Sequence, residues 1–195
     1  MKKLTIAFLL FTFSAFTSWA GDFQKGMSAY KSGDYTTAIK EFAALAEQGD
    51  AKAQSNLGVM YANGQGVPQE YKQAVKWYTK AAEQGMAEAQ NRLAAMYHNG
   101  EGVPQDYKQV VRWFTKAAEQ GNATAQNSLG AMYHSGQGVP QDNVYAHMWF
   151  NLGAANGSEE APKHRDIIAK RMTTADISKA QSLARECLKK NYKGC

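Results

Sequence analysis

The sequence predicts an all-α chain built as a solenoid of stacked helix pairs, and three observations predict it. The stretch GDAKAQSNLGVMYANGQGVPQEYKQAVKWYTKAAEQ, which opens at Gly49, returns twice at one fixed interval. Gly64, Gly66, Val67 and Pro68 come back as Gly100, Gly102, Val103 and Pro104, then as Gly136, Gly138, Val139 and Pro140, and Trp77, Trp113 and Trp149 keep the same beat. Within a unit, Ala53, Leu57, Met60 and Tyr61 fall at helical spacing, and Ala74, Tyr78, Ala81 and Ala82 do so again after a Gly-rich loop. A unit this short cannot bury its apolar face alone, so successive copies must stack.

Taken in order, the chain opens with Lys2 and Lys3, an apolar run from Leu4 to Phe16, and the small-residue site Ser18-Trp19-Ala20 before Gly21. Residues 1–20 therefore read as a secretory signal peptide, too short in its apolar core to span a membrane, with the mature chain starting at or next to Gly21. Residues 21–49 read as a degenerate N-terminal capping repeat. Tyr35, Ala38, Phe42 and Gly49 match Tyr71, Ala74, Tyr78 and Gly85, but Glu41 stands at the tryptophan position and the long turn is missing. Three full units follow at 50–85, 86–121 and 122–157. In each, Gly64 or its equivalent supplies backbone freedom to the turn, Pro68 or its equivalent prepares entry to the second helix, and Gly85 or its equivalent ends that helix. Residues 158–195 read as a C-terminal helical cap of two helices, 158–172 and 174–191. Ile167, Ile168, Met172, Ile177, Ala180, Leu183, Ala184 and Leu188 form the expected apolar stripe, and Thr174 the expected N-cap.

The pattern A-x-x-x-L-G-x-M-Y-x-x-G-x-G-V-P, followed by an acidic residue and W-[YF]-x-K-A-A-E-Q-G, resembles the Sel1-like repeat, a relative of the tetratricopeptide repeat. The resemblance covers about residues 50–157 and extends more weakly to both ends. It implies a right-handed superhelix of helix pairs whose inner helices line a concave surface for a protein or peptide, with no shared catalytic site. It also implies where recognition sits, because one stripe on the first helix varies between units, opposite the core stripe. Lys52, Asn56, Val59 and Asn63 become Glu88, Arg92, Ala95 and Asn99, and then Thr124, Ser128, Ala131 and Ser135. Arg92 is the expected anchor, since its planar, permanently charged fork suits a carboxylate or a backbone.

The net charge of +5 falls to +3 once Lys2 and Lys3 leave with the signal. The lysines alternate along the sequence with Glu41, Glu47, Glu83, Glu88 and Glu119, so neither a nucleic-acid stripe nor a polybasic membrane patch is expected. Cys187 and Cys195 are the two cysteines. In an oxidising compartment an internal disulfide is expected, with free thiols or an intermolecular bridge as the alternatives. It would contribute roughly 2 to 3 kcal/mol by tying down the tail.

Three constellations invite other chemistry. Ser28-Ala29-Tyr30-Lys31 fits the S-x-x-K of penicillin-recognising serine enzymes, but the companion S-D-N and K-T-G elements are missing. His98 and His134 occupy equivalent positions without a third ligand. The three tryptophans are better explained by packing between units than as a stacking platform. The sequence therefore assigns no catalytic residue, cofactor or metal. Its leading reading is a non-catalytic adaptor, periplasmic or secreted, that binds an unidentified protein or peptide. The alternative is a cell-wall-associated or β-lactam-binding enzyme of the cysteine-rich Sel1-like type.

Overall fold

The computed structural model describes residues 21–195, and the signal-peptide reading of 1–20 lies outside them. Among the described residues every regular element is an α-helix: α1 (Phe23–Ser32), α2 (Tyr35–Glu47), α3 (Ala51–Asn63), α4 (Tyr71–Glu83), α5 (Ala87–Asn99), α6 (Tyr107–Ala118), α7 (Ala123–Ser135), α8 (Asn143–Ala155), α9 (Ala161–Ala169) and α10 (Thr174–Lys189). From α1 to α9 each helix packs on its successor, which makes a right-handed solenoid. Asp22, Asp34, Asp50, Asp106, Asn122 and Asp142 start their helices by accepting first-turn amide hydrogens on the side chain.

The Gly-rich turn is a joint between units as well as a connector. Gly66 has φ +74°, and a Cβ there would lie 2.7 Å from the Tyr35 carbonyl oxygen at the start of the preceding second helix. Gly102 faces Tyr71, and Gly138 faces Tyr107, in the same way. Gln65 strengthens the first of these joints, accepting from the Tyr30 hydroxyl at 3.0 Å and donating to the Tyr35 oxygen at 3.2 Å.

The apolar seam falls into three clusters of buried residues, with half-buried Tyr61 packed against the first two along the chain and Tyr133 against the last two. Ala53, Leu57, Met60, Ala74, Tyr78, Ala81 and Ala82 are all buried, as are their equivalents one repeat on. Trp77, Trp113 and Trp149 lie within this seam at 6%, 5% and 2% exposure. Lys80 roofs the Trp77 ring at 4.4 Å, and Arg112 the Trp113 ring at 5.1 Å.

A polar ladder runs through the same seam. Gln54, Gln90 and Gln126 are buried on α3, α5 and α7, and each donates from Nε2 at 3.0 Å to the carbonyl of Ala46, Ala82 or Ala118 at the end of the preceding helix. Their Oε1 atoms accept from Gln84, Gln120 and Asn156 at 2.7, 2.8 and 2.8 Å. Both ends of every buried amide are met, so the ladder fixes the register of the stack.

The two ends are closed differently. At the N-terminal end Glu41 replaces the tryptophan and plugs the start of α1. Its Oε1 pairs with Lys25 Nζ at 2.6 Å, and its Oε2 accepts from the Asp22 amide at 2.9 Å. At the C-terminal end, Ala161 and Ile168 of α9 cover Ala146 and Phe150. α10 packs chiefly on α8 instead of pairing with α9 as the helices of a repeat do. The expected stripe needs correction: Ile168, Ala180 and Ala184 are buried, but Ile167 is 55% and Leu188 43% exposed, because α9 and α10 each rest on one neighbour. The N-cap of α10 is Thr173, whose hydroxyl accepts from the Asp176 amide, while Thr174 already lies in the helix.

Candidate functional site

The varying stripe lies on α3, α5 and α7, and none of its twelve residues is buried. The structure gathers most of them around two depressions between successive first helices. One, about 300 Å³, is lined by Val59, Asn63, Arg92 and Ala95 of the stripe, together with Ala62, Gln69, Tyr71, Tyr78, Met96 and Glu101. The other, about 430 Å³, is lined by Ala95, Asn99, Ser128, Ala131 and Ser135, together with His98, Phe114, Met132, His134 and Gln137. Lys52, Asn56, Glu88 and Thr124 line neither. They sit towards the starts of their helices, and the Asn56 amide turns back to donate to the Lys52 carbonyl at 2.9 Å.

Arg92 is less free than the sequence suggests, because its Nε donates to Glu88 Oε1 at 2.9 Å, one turn away. Its terminal nitrogens remain for a ligand. Tyr78, treated from the sequence as plain core, is 2% exposed yet lines the first depression. Burial pushes its phenol up to about 12, so the hydroxyl keeps its proton at neutral pH. The only sequence signal for its role is the alternation of Tyr78 with Phe114 at one repeat position.

A model of the Sel1 repeat matches residues 51–86, 87–122 and 123–158. The chain belongs to the Sel1 repeat family. This Sel1 chain is similar to a protective antigen present in uropathogenic Escherichia coli strains, which displays an SLR fold. The two are 43% identical with a TM-score of 0.69, over 71% of this chain and 31% of the antigen, so the chain spans about a third of that protein. It is also similar to a Sel1 repeat protein from Oxalobacter formigenes, at 26% identity and TM-score 0.74, over 85% of this chain and 75% of that one. Helicobacter pylori cysteine rich protein B, at 20% identity and TM-score 0.54 over 67% and 93% of the two chains, shares the fold. No curated protein is similar enough to count as a match.

The remaining candidates separate cleanly in this Sel1 protein. His98 and His134 line the same depression, but their Nδ1 atoms face Asn99 Oδ1 at 3.1 Å and Asn143 Oδ1 at 2.8 Å. Among the described residues no group of three His, Cys, Asp or Glu is placed to hold a metal ion. Ser28 and Lys31 are both exposed on α1, away from either depression. Cys187 and Cys195 are bonded, with Cα atoms 5.5 Å apart. The bond folds the tail back so that the Tyr192 hydroxyl donates to Asn156 Oδ1 at 2.9 Å, ending the polar ladder, and the Gly194 amide donates to Glu119 at 3.0 Å. No described helix is long and apolar enough to cross a membrane.

Proposed function

We propose that this Sel1 protein is a non-catalytic adaptor of the bacterial cell envelope, exported by residues 1–20, which holds a protein or peptide in a groove formed by α3, α5 and α7. One observation carries the reading: eight of the twelve varying stripe positions line two adjoining depressions, while the recurrent apolar positions are spent on the seam. Variation along an accessible stripe of the first helices is what recognition requires of a repeat scaffold.

The test is site-specific photo-crosslinking in an expressing bacterium, with the photoreactive residue at Ala131 or, as control, at Lys72 on α4. The groove reading expects a discrete adduct from Ala131 and none from Lys72. Adducts only from the turn position Gln65, which lines neither depression, would move recognition to the loop edge and overturn it. Because Ser28 and Lys31 lie in the open, a fluorescent penicillin is expected to leave the purified protein unlabelled; labelling lost in Ser28→Ala would establish the β-lactam-binding alternative instead. Mass spectrometry of the envelope fraction is expected to find a chain beginning at or next to Gly21, and a chain retaining Met1 would contradict export with cleavage.

A further inference from the structure

The two depressions are one cavity built twice. Asn99, Ser128, Gln137 and Phe114 in the second stand one repeat after Asn63, Arg92, Glu101 and Tyr78 in the first, and Ala95 lines both, so the cavities adjoin. Their chemistry differs. The first holds a guanidinium from Arg92, a carboxylate from Glu101 and the phenol of Tyr78, whose hydroxyl has no hydrogen-bond partner among the described residues although the residue is 2% exposed. The ring is buried but the hydroxyl oxygen opens onto the cavity, where a ligand can pair it. In the second cavity the same three positions carry Ser128, Gln137 and Phe114, and the floor is apolar, with Phe114 and Met132.

We infer that the groove reads an extended peptide segment of its partner through two side chains: an amide, Asn or Gln, in the first cavity and an apolar side chain, Leu, Met or Phe, in the second. The inference rests on the groove reading above and specifies its ligand. A carboxylate ligand would meet Glu101, and a cationic one would meet Arg92, whereas a neutral amide offers an acceptor to Arg92 and Tyr78 and donors to Glu101 at once. The second cavity has no charged carboxylate or guanidinium on its wall and favours burial of an apolar group.

Spacing fixes the register of the peptide. The cavities share Ala95, which puts their centres one helix spacing, about 8 to 10 Å, apart. In a polyproline II segment three residues advance about 9.3 Å and return the side chain to the same face. A β-strand brings same-face side chains back at about 6.7 Å or about 13 Å, too short or too long. The expected ligand therefore carries its amide and its apolar residue three apart in an extended left-handed helix.

Panning a phage library of random dodecapeptides on the purified mature chain tests this. Enrichment of peptides with Asn or Gln three residues from Leu, Met or Phe is expected, in one order of the two. The triple variant Tyr78→Phe, Arg92→Ser, Glu101→Gln gives the first cavity the side chains of the second. It should keep its helical spectrum, bind those peptides at least tenfold more weakly, and select apolar residues at both positions. Enriched peptides whose composition the triple variant leaves unchanged, or whose paired positions lie at another spacing, overturn the two-cavity reader while the crosslinks from Ala131 still decide the groove. Absence of any enriched motif also overturns it.

Discussion

A buried side-chain amide stabilises a stack only when both of its ends are met, and Gln90 shows what that implies. It donates to the Ala82 carbonyl and accepts from Gln120, joining two units through one residue. Gln90→Leu keeps the volume but removes both bonds, leaving the Ala82 carbonyl with the Gly85 amide hydrogen alone and Gln120 with the Lys116 carbonyl alone. A loss of about 1 to 3 kcal/mol is expected, read as a lower urea midpoint with an unchanged slope. Tyr78→Phe should behave in the opposite way. It removes a hydroxyl that the protein itself leaves unpaired, and the next repeat already carries Phe114 in that place. Its stability is expected to stay within about 0.5 kcal/mol of the parent by the same measurement, so any effect on peptide binding belongs to the ligand and not to the fold.

At the scale of elements, the N-terminal pair α1–α2 is the part of the stack whose closure depends on charge. The Lys25 hydrogen bond, and then the Asp22 amide, hold the Glu41 carboxyl below its ordinary 4.5, and the same pairing with Glu41 holds Lys25 above its ordinary 10.5. A depressed carboxyl contributes stability above its unfolded value and loses it as pH falls through the lower folded one. The protection factors of the α1 amides should therefore fall as the pH drops below about 4.5, and Glu41→Gln should flatten that dependence. An unchanged acid profile in the variant would assign the effect to Asp34 or Glu160, whose carboxyls are also held low by hydrogen bonds. At the other end, Cys187→Ser frees the segment that carries Tyr192. A lower melting temperature is expected, corresponding to about 2 to 3 kcal/mol, and two alkylatable thiols in freshly isolated protein would contradict the bond. The helices, turns and tryptophans were legible in the sequence because repetition displays periodicity three times over. The glutamine ladder was not, since a buried Gln and a solvated one have the same letter. The charges also read differently in three dimensions. Glu41 and Glu88 are taken up by Lys25 and Arg92, while Lys72, Lys76, Lys80, Lys108, Arg112 and Lys116 form two rows along α4 and α6 that linear interleaving conceals. The tail escaped for a third reason: α10 packs on α8, outside the repeat's rule, so its contacts follow no period.

For the whole molecule, contacts from α1 to α9 run chiefly between sequence neighbours, with α10 packing back on α8. Stability is therefore close to a sum of units and junctions, and removal of one unit is expected to leave the rest folded. Excising residues 87–122 joins Met86 to Ala123, and the new junction keeps the ladder contact of the old ones while Met86 replaces Asn122 as the cap of α7. Gln84 already holds on Gln54 the place that Gln120 holds on Gln90, Gln126 donates to the Ala82 carbonyl at the new seam as it did to that of Ala118, and Glu83 stands where Glu119 stood. The shortened chain is expected to remain helical and cooperative by circular dichroism, with a smaller urea slope and a lower melting temperature. An unfolded product would mean that the stack depends on contacts beyond nearest neighbours. The excision also fuses the two depressions into one, since Tyr78, Val59 and Asn63 would then face Ser128, Ala131 and Gln137. With a single cavity the paired three-residue spacing should disappear from selected peptides, leaving one anchor position. Because the remaining cavity keeps the Tyr78 hydroxyl but loses Arg92 and Glu101, that anchor should tolerate hydroxyl and apolar side chains as readily as amides. Retention of the paired motif in the shortened chain would show that the spacing comes from the peptide and not from the stacking of helices.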